Sequence, residues 1–528
     1  MVAEVDPALA SALTPERSED DDIRDLAGGA LVVFVGKLAR LSRGGFLWVI
    51  TLLCGADVQG LYTTAWAVCS TLNKLARFGL LRSVVHYVTA ARSVPDSERR
   101  HEHAALGAGL LIAAVASGAV VLSAHLAADH IAAFYQKPIA RAIRIMAFTA
   151  PFVAFAWVLT SATRALRIMR YEVYVRSVGG PLILFIGGAA VGLAGFGLEA
   201  IAWVQLTMAV GNLAHAVIYF RRHFSFGDSA AAIGRPTPLR AMLRFGLPVT
   251  LTDLVYSLLV QLDVLMLAKY TDAATVGIYV LSRRLASAVL KAPQAFDAIF
   301  SSVVSELSLQ QRHAELGKRF VTVTRWIFTV NLPIAVCMLL IADPILQLLG
   351  SSKLAVAADL QMAIEVLFVL CVGMMIQSVF AVAEPLLAMS GRPGVNLVNN
   401  VIWLALNFAL NLWLIEIYGI VGAAFGAAVA MVVVALLRVG EVYALRKVLP
   451  FRRSQFKPLL GGCLAAVPAW FLRDAAVEPL WRAVLPSAGF LVTYGATLAA
   501  LRLELEDRML LARFWRSIRR RIGGLKGA

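Results

Sequence analysis

Long apolar runs follow one another along the whole chain, broken by short polar stretches. They predict helices at 28–52, 58–90, 104–126, 143–165, 174–195, 198–220, 243–269, 275–303, 321–344, 360–389, 396–416, 419–440, 458–474 and 482–501. Nearly all reach the length of about 20 residues that a helix needs to cross a hydrocarbon core about 30 Å thick. The pattern is that of an all-α polytopic membrane protein with about fourteen transmembrane helices.

The polar segments divide the chain further. Residues 1–26 are acidic, with the run Glu19, Asp20, Asp21, Asp22, and predict a disordered cytosolic tail rather than a signal peptide, which would begin basic. Two six-helix lobes are expected at 27–222 and 243–448, joined by a cytosolic linker at 223–242. Two additional helices occupy 449–503, and a basic tail runs from 504 to 528. In that tail Arg513, Trp515, Arg516, Arg519, Arg520 and Arg521 form the pattern of an amphipathic helix on an anionic leaflet.

Composition agrees with the runs: 59% of the 528 residues are hydrophobic and 16% charged. The five cysteines (Cys54, Cys69, Cys337, Cys371, Cys463) lie in or beside apolar spans without metal-ligand spacing, so no metal site or cofactor is implied. The net charge of +16 follows membrane topology rather than nucleic-acid binding. With both termini in the cytosol, the outer loops carry few cations: Lys137, Arg141, Arg144, Lys269, Lys353, Arg473 and Arg482. Most of the other Lys and Arg fall inside, as the positive-inside rule requires of a plasma-membrane protein.

The two lobes repeat one another. Gly60, Tyr62, Ser70 and Lys74 match Gly277, Tyr279, Ser287 and Lys291 at a constant offset, and Arg170, Gly197 and Ala202 match Arg392, Gly419 and Ala424 at another. An even number of helices per lobe gives parallel repeats, a transporter architecture with its substrate site near mid-membrane. Lys74 and Lys291 then occupy equivalent depths.

Nine cations stand inside predicted spans: Lys37, Arg40 and Arg43 in the first, Lys74, Arg77 and Arg82 in the second, Arg283, Arg284 and Lys291 in the eighth. Each costs about 2.5–3.5 kcal/mol in hydrocarbon, so such residues face a water-filled cavity. Arg82, near the end of its helix, reads as snorkelling; the other eight predict a cavity for a polyanion. Asp253 and Asp263 in the seventh span, with Glu365 and Glu384 in the tenth, are expected to couple an ion or to pair charges. Pro248, Pro293, Pro333 and Pro385 are expected to interrupt spans.

The order of short motifs carries a family resemblance. Phe245-Gly246-Leu247-Pro248 opens the seventh span, Asp263 follows, and Gly277-Ile278-Tyr279 opens the eighth. Met389-Ser390-Gly391-Arg392 and Tyr418-Gly419-Ile420-Val421-Gly422-Ala423-Ala424 close the second half, loosely echoed by Gly60-Leu61-Tyr62 and Phe196-Gly197 in the first. Over residues 27 to about 500 the chain resembles the Wzx-type oligosaccharide-lipid flippases of the multidrug/oligosaccharidyl-lipid/polysaccharide (MOP) exporter superfamily. The Arg-rich opening motifs of the lipid II flippase subgroup are not recognisable.

That resemblance implies a V-shaped, alternating-access transporter whose first, second, seventh and eighth helices line the cavity. It implies a polyprenyl-diphosphate-linked oligosaccharide as cargo, membrane lipid as surroundings, and the polymerase and chain-length regulator of the same pathway as partners. Two other readings stay open: a drug/cation antiporter of the same superfamily, which needs an anionic cavity, and a membrane glycosyltransferase or polymerase, which needs an external acidic cluster or a large outer loop.

Overall fold

The computed structural model describes residues 41–92, 99–166, 168, 170–225, 227–228, 239–291, 293–294, 304, 313–349, 357–389, 393–447, 456–473 and 479–501. Among these the chain is helical, with no strand. The chain divides into two compact units, 1–261 and 262–528.

The first unit contains α1 (Leu41–Cys54), α2 (Ala56–Arg77), α3 (Leu80–Arg92), α4 (Arg99–Tyr135), α5 (Ala140–Ala147), α6 (Thr149–Ala165), α7 (Arg170–Val173), a π-helical turn (Tyr174–Gly179), α8 (Gly180–Leu193), α9 (Leu198–Phe220) and the first part of α10 (Leu239–Tyr270). The rest of α10 opens the second unit. There follow α11 (Ala273–Ala286), a 3₁₀ turn (Ser287–Leu290), α12 (His313–Leu340), α13 (Ala342–Leu349), α14 (Ala357–Phe380), α15 (Ala383–Met389), α16 (Pro393–Arg446), α17 (Phe456–Leu472) and α18 (Pro479–Ala500).

In its described residues each of the fourteen predicted spans falls mainly on helix; 28–40 of the first and 295–303 of the eighth lie outside them. Among the described residues ten helical stretches are long and apolar enough to cross a membrane, one of them the 52-residue Gly394–Leu445, with shorter apolar helices at Gly45–Cys54 and Phe456–Leu472. The second span is not among them: α2 carries Asp57, Lys74 and Arg77, which lower its apolarity below that of a lipid-facing helix. Large apolar side chains such as Leu126, Leu193, Phe471 and Val492 stay exposed, as in a belt against lipid.

Two glycines shape the path. Phe78 (φ 39°) and Gly79 (φ 63°) are both left-handed and end α2. A Cβ on Gly79 would meet the Gly246 carbonyl oxygen at 2.8 Å, and one on Gly246 would meet that of Phe78 at 2.6 Å. The two backbones therefore touch, and only glycine allows it. The expected long second span is thus α2 and α3 with a sharp joint. Gly419 (φ 56°, ψ −132°) breaks α16 between the eleventh and twelfth predicted spans. Pro248 and Pro333 correct the expectation of interrupted spans: α10 and α12 run on past them.

The core of the first unit gathers Leu80, Val84, Leu106, Val158, Phe220 and Met242 in one cluster. Phe46, Ile50, Tyr62, Ile143 and Met146 form a second. In the second unit Phe320, Ile327, Leu386 and Val442 pack together. Phe490 and Tyr494 of α18 pack with Ala465 and Ala469 of α17, and the Tyr494 hydroxyl donates to the Thr329 carbonyl of α12 at 2.9 Å.

Candidate functional site

The face of α2 that carries Trp66, Ser70, Asn73, Lys74 and Arg77 repeats at helical spacing and lines one cavity of about 610 Å³. Trp157 of α6, Glu172 of α7, Arg176 of the π turn, Asn212 of α9 and Tyr256, Ser257 and Gln261 of α10 complete the wall. All belong to the first unit.

The indole of Trp157 organises its cations. The Arg176 guanidinium carbon lies 3.5 Å from the ring centroid and that of Arg77 lies 4.8 Å from it. The two guanidinium carbons are therefore no more than 8.3 Å apart, the sum of these distances. Cation–π attraction on the shared ring offsets part of their repulsion. Arg77 also donates through Nε to the Asn73 carbonyl at 3.1 Å, and Asn73 donates through Nδ2 to Thr149 Oγ1 at 3.1 Å. Asp253 acts electrostatically on both Lys74 and Arg77. Gln261 donates to Ser70 Oγ at 3.2 Å. The cavity thus offers three cations, amides and hydroxyls beside aromatic faces.

Arg176 and Trp157 are additions to the predicted set. By sequence Arg176, near the start of the predicted span 174–195, counts with the cations at the cytosolic ends of the spans. The π turn winds it into the cavity instead. Pro181 has no N–H to offer the Ser177 carbonyl, so the helical ladder just upstream is freed to shift register.

The second unit holds a different constellation. Asp263 is 1% exposed. It accepts from Tyr279 Oη at 3.1 Å, Asn407 Nδ2 at 2.8 Å and Asn411 Nδ2 at 3.2 Å. Arg283 Nη1 lies 3.5 Å from Asp263 Oδ2. Glu384 pairs with Arg438, Nη1 to Oε2 2.9 Å, and Arg438 donates to Asn400 Oδ1 at 2.8 Å. Glu365 accepts from Gln361 at 3.0 Å on an exposed face.

The remaining predicted residues are spread out. Arg284 and Lys291 are exposed, Lys291 just past the 3₁₀ turn. Arg82 lines a second cavity of about 730 Å³ with His86 and Arg164. Arg43 lies in α1, with its side chain outside the described residues; Lys37, Arg40 and both terminal tails lie outside them altogether. Among the described residues no cluster of His, Cys, Asp and Glu is arranged to hold a metal.

The comparisons follow the fold. A lipid II flippase, MurJ, in an inward closed conformation superposes with a TM-score of 0.72 at 14% identity, over 89% of this chain and 98% of that one. An inward-facing multidrug resistance MATE family transporter of the MOP superfamily gives 0.67 at 15% identity, over 77% of this chain and 96% of the other. Both are transport proteins, and the likeness is one of fold. No curated protein matches the chain. A family model described as polysaccharide biosynthesis protein matches residues 53–359, more than half of the sequence. By this match the chain belongs to the polysaccharide biosynthesis protein family.

Proposed function

We propose that this protein flips a polyprenyl-diphosphate-linked oligosaccharide from the cytosolic to the outer leaflet of the bacterial inner membrane. The product feeds synthesis of a surface polysaccharide: O-antigen, capsule or exopolysaccharide. The observation that carries the reading is the cavity on whose wall Lys74, Arg77 and Arg176 converge. Arginine offers a planar fork that matches phosphate oxygens, and lysine adds a mobile point charge. Amide and hydroxyl groups beside them suit a glycan. Lys37, Arg40, Arg43, Arg283, Arg284 and Lys291 supply further cations along the route, and alternating access moves the head group while the lipid tail stays in the bilayer. Asp263 and Glu384 serve as charge partners, consistent with their pairing to Arg283 and Arg438. The polymerase and chain-length regulator of the same pathway are the expected partners.

A drug/cation antiporter shares the fold, but a cavity wall richer in arginine and lysine than in carboxylates repels cationic drugs. The experiment is a deletion strain assayed for lipid-linked oligosaccharide on each face of the inner membrane. Complete intermediates held on the cytosolic face, with surface polysaccharide lost, are expected. Truncated intermediates would assign the protein to synthesis instead, and unchanged glycolipids with altered drug sensitivity to drug export.

A further inference from the structure

Among the described residues Glu172 is the one carboxylate lining the cationic cavity, and its two oxygens go to different arginines. Oε1 receives Arg176 Nη1 at 2.5 Å, and Oε2 lies 3.5 Å from Arg164 Nη1. Arg176 belongs to the cavity wall with Lys74 and Arg77. Arg164 belongs to the neighbouring cavity of Arg82 and His86. Glu172 therefore stands at the partition, holding one guanidinium from each side. Its side chain is 22% exposed, and those of Arg164 and Arg176 are 38% and 35% exposed, so all three have room to turn.

We propose that Glu172 is the resident counter-ion of the cavity, and that the incoming anionic head group displaces it from Arg176 onto Arg164. This rests on the flippase reading above. Among the described lining residues Lys74, Arg77 and Arg176 outnumber the one carboxylate, and with Asp253 acting on Lys74 and Arg77 from nearby the balance stays positive, which suits the dianion of a diphosphate diester. Before the dianion arrives, Glu172 occupies the Arg176 fork and lowers the repulsion between Arg176 and Arg77 across Trp157. When the dianion takes that fork, the carboxylate stays paired because Arg164 already touches its other oxygen. No charge is stranded at any stage, and the return of Glu172 helps eject the head group. The cost of displacement keeps binding weak enough for release.

The test uses full-length protein in lipid nanodiscs and a soluble diphosphate diester, geranyl-diphosphate-linked N-acetylglucosamine. Glu172→Gln removes the competitor and should tighten binding by about tenfold, the scale of one charge-assisted hydrogen bond. Arg164→Ala removes the alternative partner, ties Glu172 more firmly to Arg176, and should weaken binding by a similar factor. In the Glu172→Gln background Arg164→Ala should have little effect. A merely structural Glu172 would make both single changes weaken binding. Unchanged or weaker binding by a folded Glu172→Gln protein overturns the proposal. Should that variant not fold, Glu172→Ala, which also removes the competing carboxylate, takes its place: tighter binding supports displacement, and unchanged or weaker binding overturns it. A wild-type protein that does not bind the probe overturns the flippase reading, and this inference with it. Wild-type binding with no tightening by Glu172→Gln overturns the inference alone.

Discussion

Arg283 places its guanidinium 3.5 Å from the carboxylate of Asp263, which is buried and also accepts from Tyr279, Asn407 and Asn411. Two residues that the sequence offers as separate candidates, a cavity cation and a coupling carboxylate, are a single ion pair whose carboxylate is buried and whose guanidinium is partly exposed. Removing one partner of such a pair leaves an uncompensated charge and costs about 3–5 kcal/mol. Arg283→Met should therefore lower the melting temperature of the detergent-solubilised protein markedly. Adding Asp263→Asn should recover part of the loss, because no buried charge then remains. Equal melting of Arg283→Met and wild type would show that the pair contributes no stability.

Lys74 is expected to matter for transport and not for folding. It lines the cavity half-buried, with its charge available to an anion. Lys74→Ala and, at the equivalent repeat position, Lys291→Ala should each reduce export of lipid-linked oligosaccharide while leaving membrane insertion and yield intact. Normal surface polysaccharide in the double variant would refute a cationic route.

Trp157 is predicted to act through its two arginines. Trp157→Phe keeps a smaller ring beneath Arg176 and Arg77 and should keep most transport. Trp157→Leu removes the π face and about 0.5–2 kcal/mol of cation–π attraction for each guanidinium. Its transport should fall several-fold, with a rise in apparent KM larger than the fall in kcat, measured in a reconstituted flipping assay.

The joint between α2 and α3 should tolerate no side chain. A Cβ at position 246 falls 2.6 Å from the Phe78 carbonyl oxygen, with backbone rather than a movable side chain as the obstacle. Gly246→Ala is expected to cost more than about 1 kcal/mol, read as reduced yield of folded protein. Gly440→Ala, where an added Cβ meets nothing within 4 Å, should be silent.

Asp272 gives a prediction with pH. It caps α11, accepting from the Thr275 amide at 3.2 Å and from the Thr275 hydroxyl at 2.5 Å. Partial burial pushes its pKa up, but these bonds to the ionised form prevail and the net shift is downward. A depressed carboxylate stabilises the fold above its unfolded value and loses that contribution as pH falls through its folded value. Asp272→Ala should cost about 1 kcal/mol at neutral pH and progressively less in acid. Equal loss at both pH values would contradict a cap made by the charged form.

The helical fold and the approximate helix count were legible in the sequence because apolar length is a local signal. Gly419, chosen as the boundary between two spans, is the residue that breaks α16. Side-chain roles were less legible. Arg176, Arg325 and Arg438 lie near span ends and count naturally as cytosolic charges, yet Arg325 is 7% and Arg438 5% exposed. What relocates Arg438 is Glu384, fifty-four positions away in sequence. Arg176 carried a nearer clue: Glu172 four residues before it, and Gly179, Gly180 and Pro181 just after, a sequence in which a regular helix is hard to sustain. Trp157 carried none, since a tryptophan in an apolar helix usually meets lipid or core.

The π turn has one more implication, for how relatives of this chain diverge. It accommodates one residue more than a plain α-helical path would, and each residue added or removed rotates what precedes it by about 100°. Deleting a single residue between Tyr174 and Gly179 would preserve every span and swing Arg176 off the indole. On the proposed function, a one-codon length difference that leaves hydropathy and topology untouched would alter the anion site, and comparisons restricted to substitutions would overlook it.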